Sequence, residues 1–295
     1  MLTIINAMID FECYLVSTDH LMDRLWFRDD EDFKVGMNYV ALVSVALGIK
    51  VLAFILMSNH IHLILACNEQ DALRFVTELK RRYSKYYQHK YAVGEFLRKN
   101  GVDICPVPLD GESLERAIAY VQMNCVAANI CAHPSYYSWG TGGVFFRADD
   151  PREEPLNALS RRDQIRLLHS NDKTPAFLRI TEKRYISPGS FVPVKYVEQL
   201  YRKPSRYNYF LQNSSKAKLR LQQSPAPAFR DQVILASVPD LCASLFRKNG
   251  KDDLSAEEMT ELLKQLRYRF SADPTQLSRV VSKSYEEVAR LLDTA

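Results

Sequence analysis

The order of apolar runs in this sequence predicts an α+β fold: a ferredoxin-like βαββαβ core with an antiparallel sheet, followed by a mostly helical C-terminal extension. Two observations carry that expectation. Runs rich in β-branched and large apolar residues fall at 9–17, 49–57, 60–67 and 102–109, with helix-like stretches between the first and second and between the third and fourth. The chain has 295 residues, 47% of them apolar, with only ten glycines, enough to bury one good core and a second smaller one.

Taken in order, the opening "MLTIINAMIDFECYLVS" has no basic n-region and no clear cleavage site, which argues against a signal peptide. The run "VGMNYVALVSVALGIKVLAFILM" at 35–57 is long enough to raise a membrane span. Gly48 and Lys50 interrupt it, so it reads as a buried helix followed by a buried strand. A second helix, roughly 70–91, carries "ELKRRYSKYYQHKY", with more basic and aromatic residues than a core alone requires. A further helix, "ESLERAIAYVQMNCVAANI" at 112–130, has Asp110 as its expected N-cap.

"RADDPREEP" closes the core domain, dividing the chain into 1–150, a basic linker or extension at 151–230, and a helical domain at 231–295, with "QQSPAPAF" marking the second break. The last region has clear start signals. Ser255 with Glu258 forms a capping box, with Leu254 facing Met259 as a staple. Asp273 precedes Pro274, and Ser284 precedes Glu287. The short turn between the last two helices has helix-turn-helix spacing. Glu286, Glu287 and Asp293 on the final helix count against DNA recognition there and leave packing or dimerisation as the other reading.

Charge is uneven. Residues 1–150 hold 14 Lys and Arg against 18 Asp and Glu, and 151–295 hold 25 against 17. Within 173–220, 11 basic side chains meet two acidic ones, interleaved with Tyr185, Tyr196, Tyr201, Tyr207 and Tyr209. That mixture suits a phosphate backbone and stacked bases, or a solvated basic linker. The six cysteines show no CxxC pair, which points to reduced thiols in a cytoplasmic protein.

The chemistry concentrates at "MSNHIHLIL", 57–65. On a strand, His60 and His62 point the same way and Ile61 the opposite way, so the two imidazoles can share one divalent ion, or serve as ordinary polar residues on a half-exposed face. On the 112–130 helix, Tyr120 and Asn124 are four apart and share a face. An amide oxygen there supplies a third, hard ligand, with a phenol one turn away. Such a set favours Mg²⁺ or Mn²⁺ with open positions over a closed zinc site. It suits phosphodiester cleavage with tyrosine as the covalent nucleophile.

"FILMSNHIHLIL", "LKRRYSKYYQHKY" and "AIAYVQMNCVAANICAHPSYYSWGTGG" together resemble the single-tyrosine HUH transposases, in particular the REP-associated tyrosine transposase branch. The resemblance covers about 8–146. It implies that His60 and His62 are metal ligands with Asn124 as the third, and that Tyr120 attacks single-stranded or hairpin DNA, leaving a 5′-phosphotyrosine and a free 3′-hydroxyl. On the 70–91 helix, Lys80, Arg81, Arg82, Lys85 and Lys90 suit the holding of DNA backbone, and the resemblance leaves the active site to be completed within one chain or across a homodimer. Tyr83, Tyr86, Tyr87 and Tyr91 are rival nucleophiles by residue type, with core packing the other reading for Tyr83 and Tyr87. The family often has proline where Ser58 and Cys125 stand here. Two other functions fit the chain: a domesticated DNA-binding regulator with reduced catalysis on the same fold, and a zinc-binding protein using Cys125, Cys131 and His133.

Overall fold

The computed structural model describes residues 12–148, 150–215, 229–270 and 272–293. In chain order β1 spans Cys13–Thr18, α1 Asp30–Leu47, β2 Lys50–Met57, β3 His60–Ala66, α2 Glu69–Tyr91 and β4 Val102–Val107. The sheet runs β2-β3-β1-β4 with every neighbouring pair antiparallel, the ferredoxin-like arrangement. Residues 9–11 of the expected first strand lie outside the described residues.

The long apolar run divides where its glycine stands. Gly48 adopts φ +69° at the end of α1, a left-handed conformation that needs no Cβ to be accommodated, and β2 starts two residues later. At the other end of α1, Asp29 accepts a hydrogen bond from the Asp32 amide at 2.8 Å. Among the described residues no helix is long and apolar enough to cross a membrane.

Both faces of the sheet are covered, since every residue of β3 is buried. Leu56 and Ile61 are register partners and share one face. Gly36 of α1 lies against Leu56, because a Cβ there would come within 2.9 Å of Leu56 Cδ1. Thus α1, with α2 packed beside it, covers the Leu56–Ile61 face, and His60 and His62 look out on the other.

The edge of β2 is closed by residues 139–141. Leu56 donates to the Trp139 carbonyl at 2.8 Å, Thr141 donates to the Phe54 carbonyl at 3.0 Å, and Gly140 bridges to Ile55. Gly140 can stand there only because it lacks a side chain: a Cβ would lie 2.6 Å from the Phe54 carbonyl oxygen. Gly140→Ala is therefore expected to destabilise the chain by about 1–3 kcal/mol, read as a lower midpoint in a thermal melt. A melt matching the parent would contradict this packing.

Beyond β4, α3 spans Ser113–Gln122 and a short α4 spans Asn124–Ala127. The single helix expected over 112–130 is broken at Met123, and Asp110 does not cap it. Gly111 turns the chain at φ +59°, Glu112 takes the cap position without a side-chain bond, and Asp110 offers only its carbonyl, 3.4 Å from the Ser113 amide.

The segment after residue 150 is built into the core. It contains a two-stranded sheet of β5, Glu154–Pro155, and β6, Arg179–Ile180, with α5 at Arg161–Leu168, α6 at Val194–Tyr201 and α7 at Pro204–Gln212. Leu156, Leu168, Leu178, Ile186, Val197 and Tyr201 are fully buried in the same apolar cluster as the sheet. Asn38 of α1 accepts from the Ile186 amide at 2.8 Å and donates to the Leu167 carbonyl at 3.1 Å. The solvated-linker reading is thus replaced by a folded strap over α1. Base stacking is closed to Tyr185, Tyr201 and Tyr207, which are buried; Tyr209 is exposed.

Four helices make the C-terminal bundle: α8 Asp231–Phe246, α9 Ala256–Phe270, α10 Pro274–Val281 and α11 Tyr285–Asp293. They bury a separate apolar cluster that includes Ile234, Leu262, Leu277 and Val288. The capping box at Ser255 and Glu258 forms in both directions, at 2.7 and 3.2 Å, and Asp273 and Ser284 cap α10 and α11. The "QQSPAPA" break lies outside the described residues.

Candidate active site

Strand alternation places the His60 and His62 side chains on one face of β3. Their ring centroids are 4.9 Å apart, with the planes at 86°. Both rings are buried. His62 is the register partner of Ser17 on β1, whose hydroxyl lies 2.7 Å from Nδ1. His60 is held by its own neighbour: Asn59 Oδ1 lies 2.9 Å from Nδ1. The same amide donates through Nδ2 to the Leu21 carbonyl at 2.9 Å, and a carbonyl can only accept. Oδ1 therefore faces the imidazole and Nδ1 of His60 is the donor to it, which makes Nε2 the ring nitrogen of ligand type.

Helix α3 packs on β2 and β3 over this face. It brings the Tyr120 ring to 5.9 Å from the His62 ring, edge to face at 80°. Tyr120 is half-buried. Asn124 begins α4, just past the break. Its Nδ2 donates to the carbonyls of Tyr120 at 3.0 Å and Val121 at 3.1 Å, bonds that cap the end of α3 and leave Oδ1 as the atom of ligand type. By donor type alone, two imidazoles and an amide oxygen suit a divalent cation of mixed nitrogen and oxygen preference. Among the described residues no three of His, Cys, Asp or Glu gather into a metal cluster, so Cys125, Cys131 and His133 do not assemble the zinc set. The Cys125 thiol is also pushed far up by its hydrogen bond with Cys131 and by burial, opposite to what a zinc ligand requires.

The rival phenols serve the core. Tyr83 is fully buried and bonds the Trp26 carbonyl at 2.5 Å, and burial holds its hydroxyl well above the ordinary range. Tyr86 and Tyr91 donate to the buried Asp32 at 2.9 and 2.8 Å, and both are raised by burial and that carboxylate. Tyr87 stacks on Phe96 at 3.8 Å.

Most cations of α2 are engaged within the fold. Lys80 bonds the Asn100 carbonyl, Arg81 pairs with Glu78 at 2.7 Å, Arg82 bridges Glu78 and Asp172, and Lys90 pairs with Asp29 and Asp32 at 2.7 Å. Hydrogen bonds from Arg81 and Arg82 hold the Glu78 carboxyl down at about 2 against partial burial. A phosphate at these residues has to compete with carboxylates already in place. Lys85 is exposed.

Three contributors lay beyond the sequence reading. His20 stacks on His60 at 3.7 Å with the planes 13° apart, and Ser17 and Asn59 orient the two imidazoles. Adjacency to His60 was a usable signal for Asn59. Ser17 and His20 reach the site only through strand register and loop path.

Residues 27–107 match the family model described as "Transposase IS200 like". The matched segment contains both histidines and ends before Tyr120 and Asn124. No curated protein matches the chain. A solved structure described as "Structure of the REP associates tyrosine transposase bound to a REP hairpin" aligns at 12% identity and a TM-score of 0.34, over 44% of this chain and 76% of that one. Over residues 27–107, this chain is similar to the IS200-like transposases.

Proposed function

We propose that the chain is a metal-dependent endonuclease and strand transferase of single-stranded DNA, acting through a 5′-phosphotyrosine at Tyr120. The observation that carries this reading is the approach of the Tyr120 ring to the His62 ring, 5.9 Å between centroids, beside the paired imidazoles. His60 through Nε2, His62 and the Asn124 amide oxygen are the residues that would hold Mg²⁺ or Mn²⁺. The bound ion supplies Lewis acidity toward a nonbridging phosphate oxygen.

The chain's own residues do the rest. The Tyr120 oxygen forms a bond to phosphorus as the bond from phosphorus to the 3′-oxygen breaks. The phenolic proton leaves, and the departing 3′-oxygen takes up a proton to become a hydroxyl. The energy of the broken diester is kept in the phosphotyrosine ester, so a second 3′-hydroxyl can reverse the step on a new strand without ATP. Asn59 fixes the His60 ring, Ser17 steadies His62, and packing of α3 on the sheet fixes the approach of the phenol. Hairpin-containing DNA as substrate follows from the family resemblance.

The test is to incubate the chain with single-stranded DNA and Mn²⁺, isolate the covalent adduct on a denaturing gel, and locate it by peptide mass spectrometry. The adduct is expected on Tyr120. An adduct on another tyrosine would reassign the nucleophile. Intact DNA binding with no adduct would select the non-cleaving regulator.

A further inference from the structure

The C-terminal bundle reaches the histidine turn directly. Asp231, buried at the start of α8, accepts from Ser58 Oγ at 2.8 Å and from Arg279 of α10 at 2.9 Å. Gln232 donates to the Phe27 carbonyl at 2.6 Å, and Ser278 Oγ, which donates to the Lys283 carbonyl at 2.5 Å, lies 3.1 Å from the Met22 carbonyl. The 21–27 loop so gripped in turn grips the turn between β2 and β3. Leu21 N–H donates to the Asn59 carbonyl at 3.0 Å, and Trp26 and Phe27 donate to the Ser58 carbonyl at 2.8 and 3.2 Å.

Ser58 and Asn59 make a two-residue hairpin loop, and neither is among the residues with positive φ. The two-residue loops that match strand twist unaided require positive φ, so this one depends on outside support. Where the resembling family often carries proline, with φ locked by its ring, this chain has a serine whose hydroxyl is tied to a carboxylate 173 residues away.

We propose that the C-terminal bundle is a positioning element for the metal site: Asp231, held by Arg279, fixes Ser58, and the turn so held presents Asn59, which sets the His60 ring. This rests on the metal reading of His60 and His62. None of the bundle residues is a ligand; they act on the cation through the orientation of one imidazole.

The experiment uses the full chain, labelled with ¹⁵N at its six histidines. Without metal, the parent His60 ring is expected to show a single tautomer with the proton on Nδ1. Ser58→Ala and Asp231→Asn are expected to show averaged ring nitrogens. In Mn²⁺ titrations followed by electron paramagnetic resonance, both should bind about ten-fold more weakly, the loss typical of an outer partner of a metal-ligating histidine. Ser58→Thr keeps a hydroxyl and should retain both properties. Lys248→Ala, which breaks an ion pair with Glu258 inside the bundle, should also leave both unchanged, whereas general loosening of the bundle would move them. Unchanged ring signals or unchanged Mn²⁺ affinity in Ser58→Ala and Asp231→Asn overturns the proposal. If the parent itself takes up no Mn²⁺, the metal reading fails, and the ring signal alone decides the positioning role.

Discussion

The Tyr120→Phe chain is expected to fold and bind single-stranded DNA like the parent, yet to cleave it at least about 10⁴-fold more slowly, the scale seen when a covalent nucleophile is removed. The substitution deletes one oxygen and keeps the ring that packs edge to face on His62. Tyr120 is half-buried, so little packing is lost, and the melting temperature should change little. The rival phenols of α2 are committed elsewhere. Tyr83 and Tyr86 are buried, Tyr86 and Tyr91 are spent on Asp32, and burial raises all three hydroxyls. The measurement is the rate of adduct formation on a labelled oligonucleotide under denaturing electrophoresis. A Tyr120→Phe rate within ten-fold of the parent would end the nucleophile assignment.

Replacement of either imidazole comes second in size. His60→Ala and His62→Ala are each expected to weaken Mn²⁺ binding by at least about 100-fold, the upper end of what loss of an outer partner alone produces. Cleavage should disappear with it, and excess Mn²⁺ should restore only part. The His60 ring is fixed by Asn59 and stacked on His20, and the His62 ring is held by the Ser17 hydroxyl and meets Tyr120 edge to face. Calorimetric titration of the folded variants separates this from instability. Parent-like Mn²⁺ affinity in both variants would place the cation elsewhere.

Much of this arrangement was legible in the sequence, because it is written in short periods. The two-residue period of a strand put His60 and His62 on one face, and local capping patterns marked the starts of α9, α10 and α11, whereas the helix expected to carry both Tyr120 and Asn124 breaks between them at Met123. What escaped depends on long loops or on irregular backbone. The strap after residue 150 is built from two-residue strands, single turns and helices of eight or nine residues, each too short for a strong periodic signal, and its apolar residues are scattered among the cations that dominate its composition. The missed fourth helix of the bundle, α8, contains Pro239, a residue that normally ends a helix; here it lies on the exposed side. The Asp110 cap failed because the glycine after it turns the chain before the helix begins.

The polar contacts that join the histidine turn and the 22–27 loop to the bundle close over 173, 205 and 256 residues of chain. On a ribosome, the strand bearing both imidazoles and the helix bearing the phenol emerge well before Asp231, Gln232 and Ser278. For that interval, a nascent polypeptide carries every reactive group and lacks the brace that aligns one of them. Under the proposed function, vectorial synthesis delays competence until the C-terminal bundle has docked.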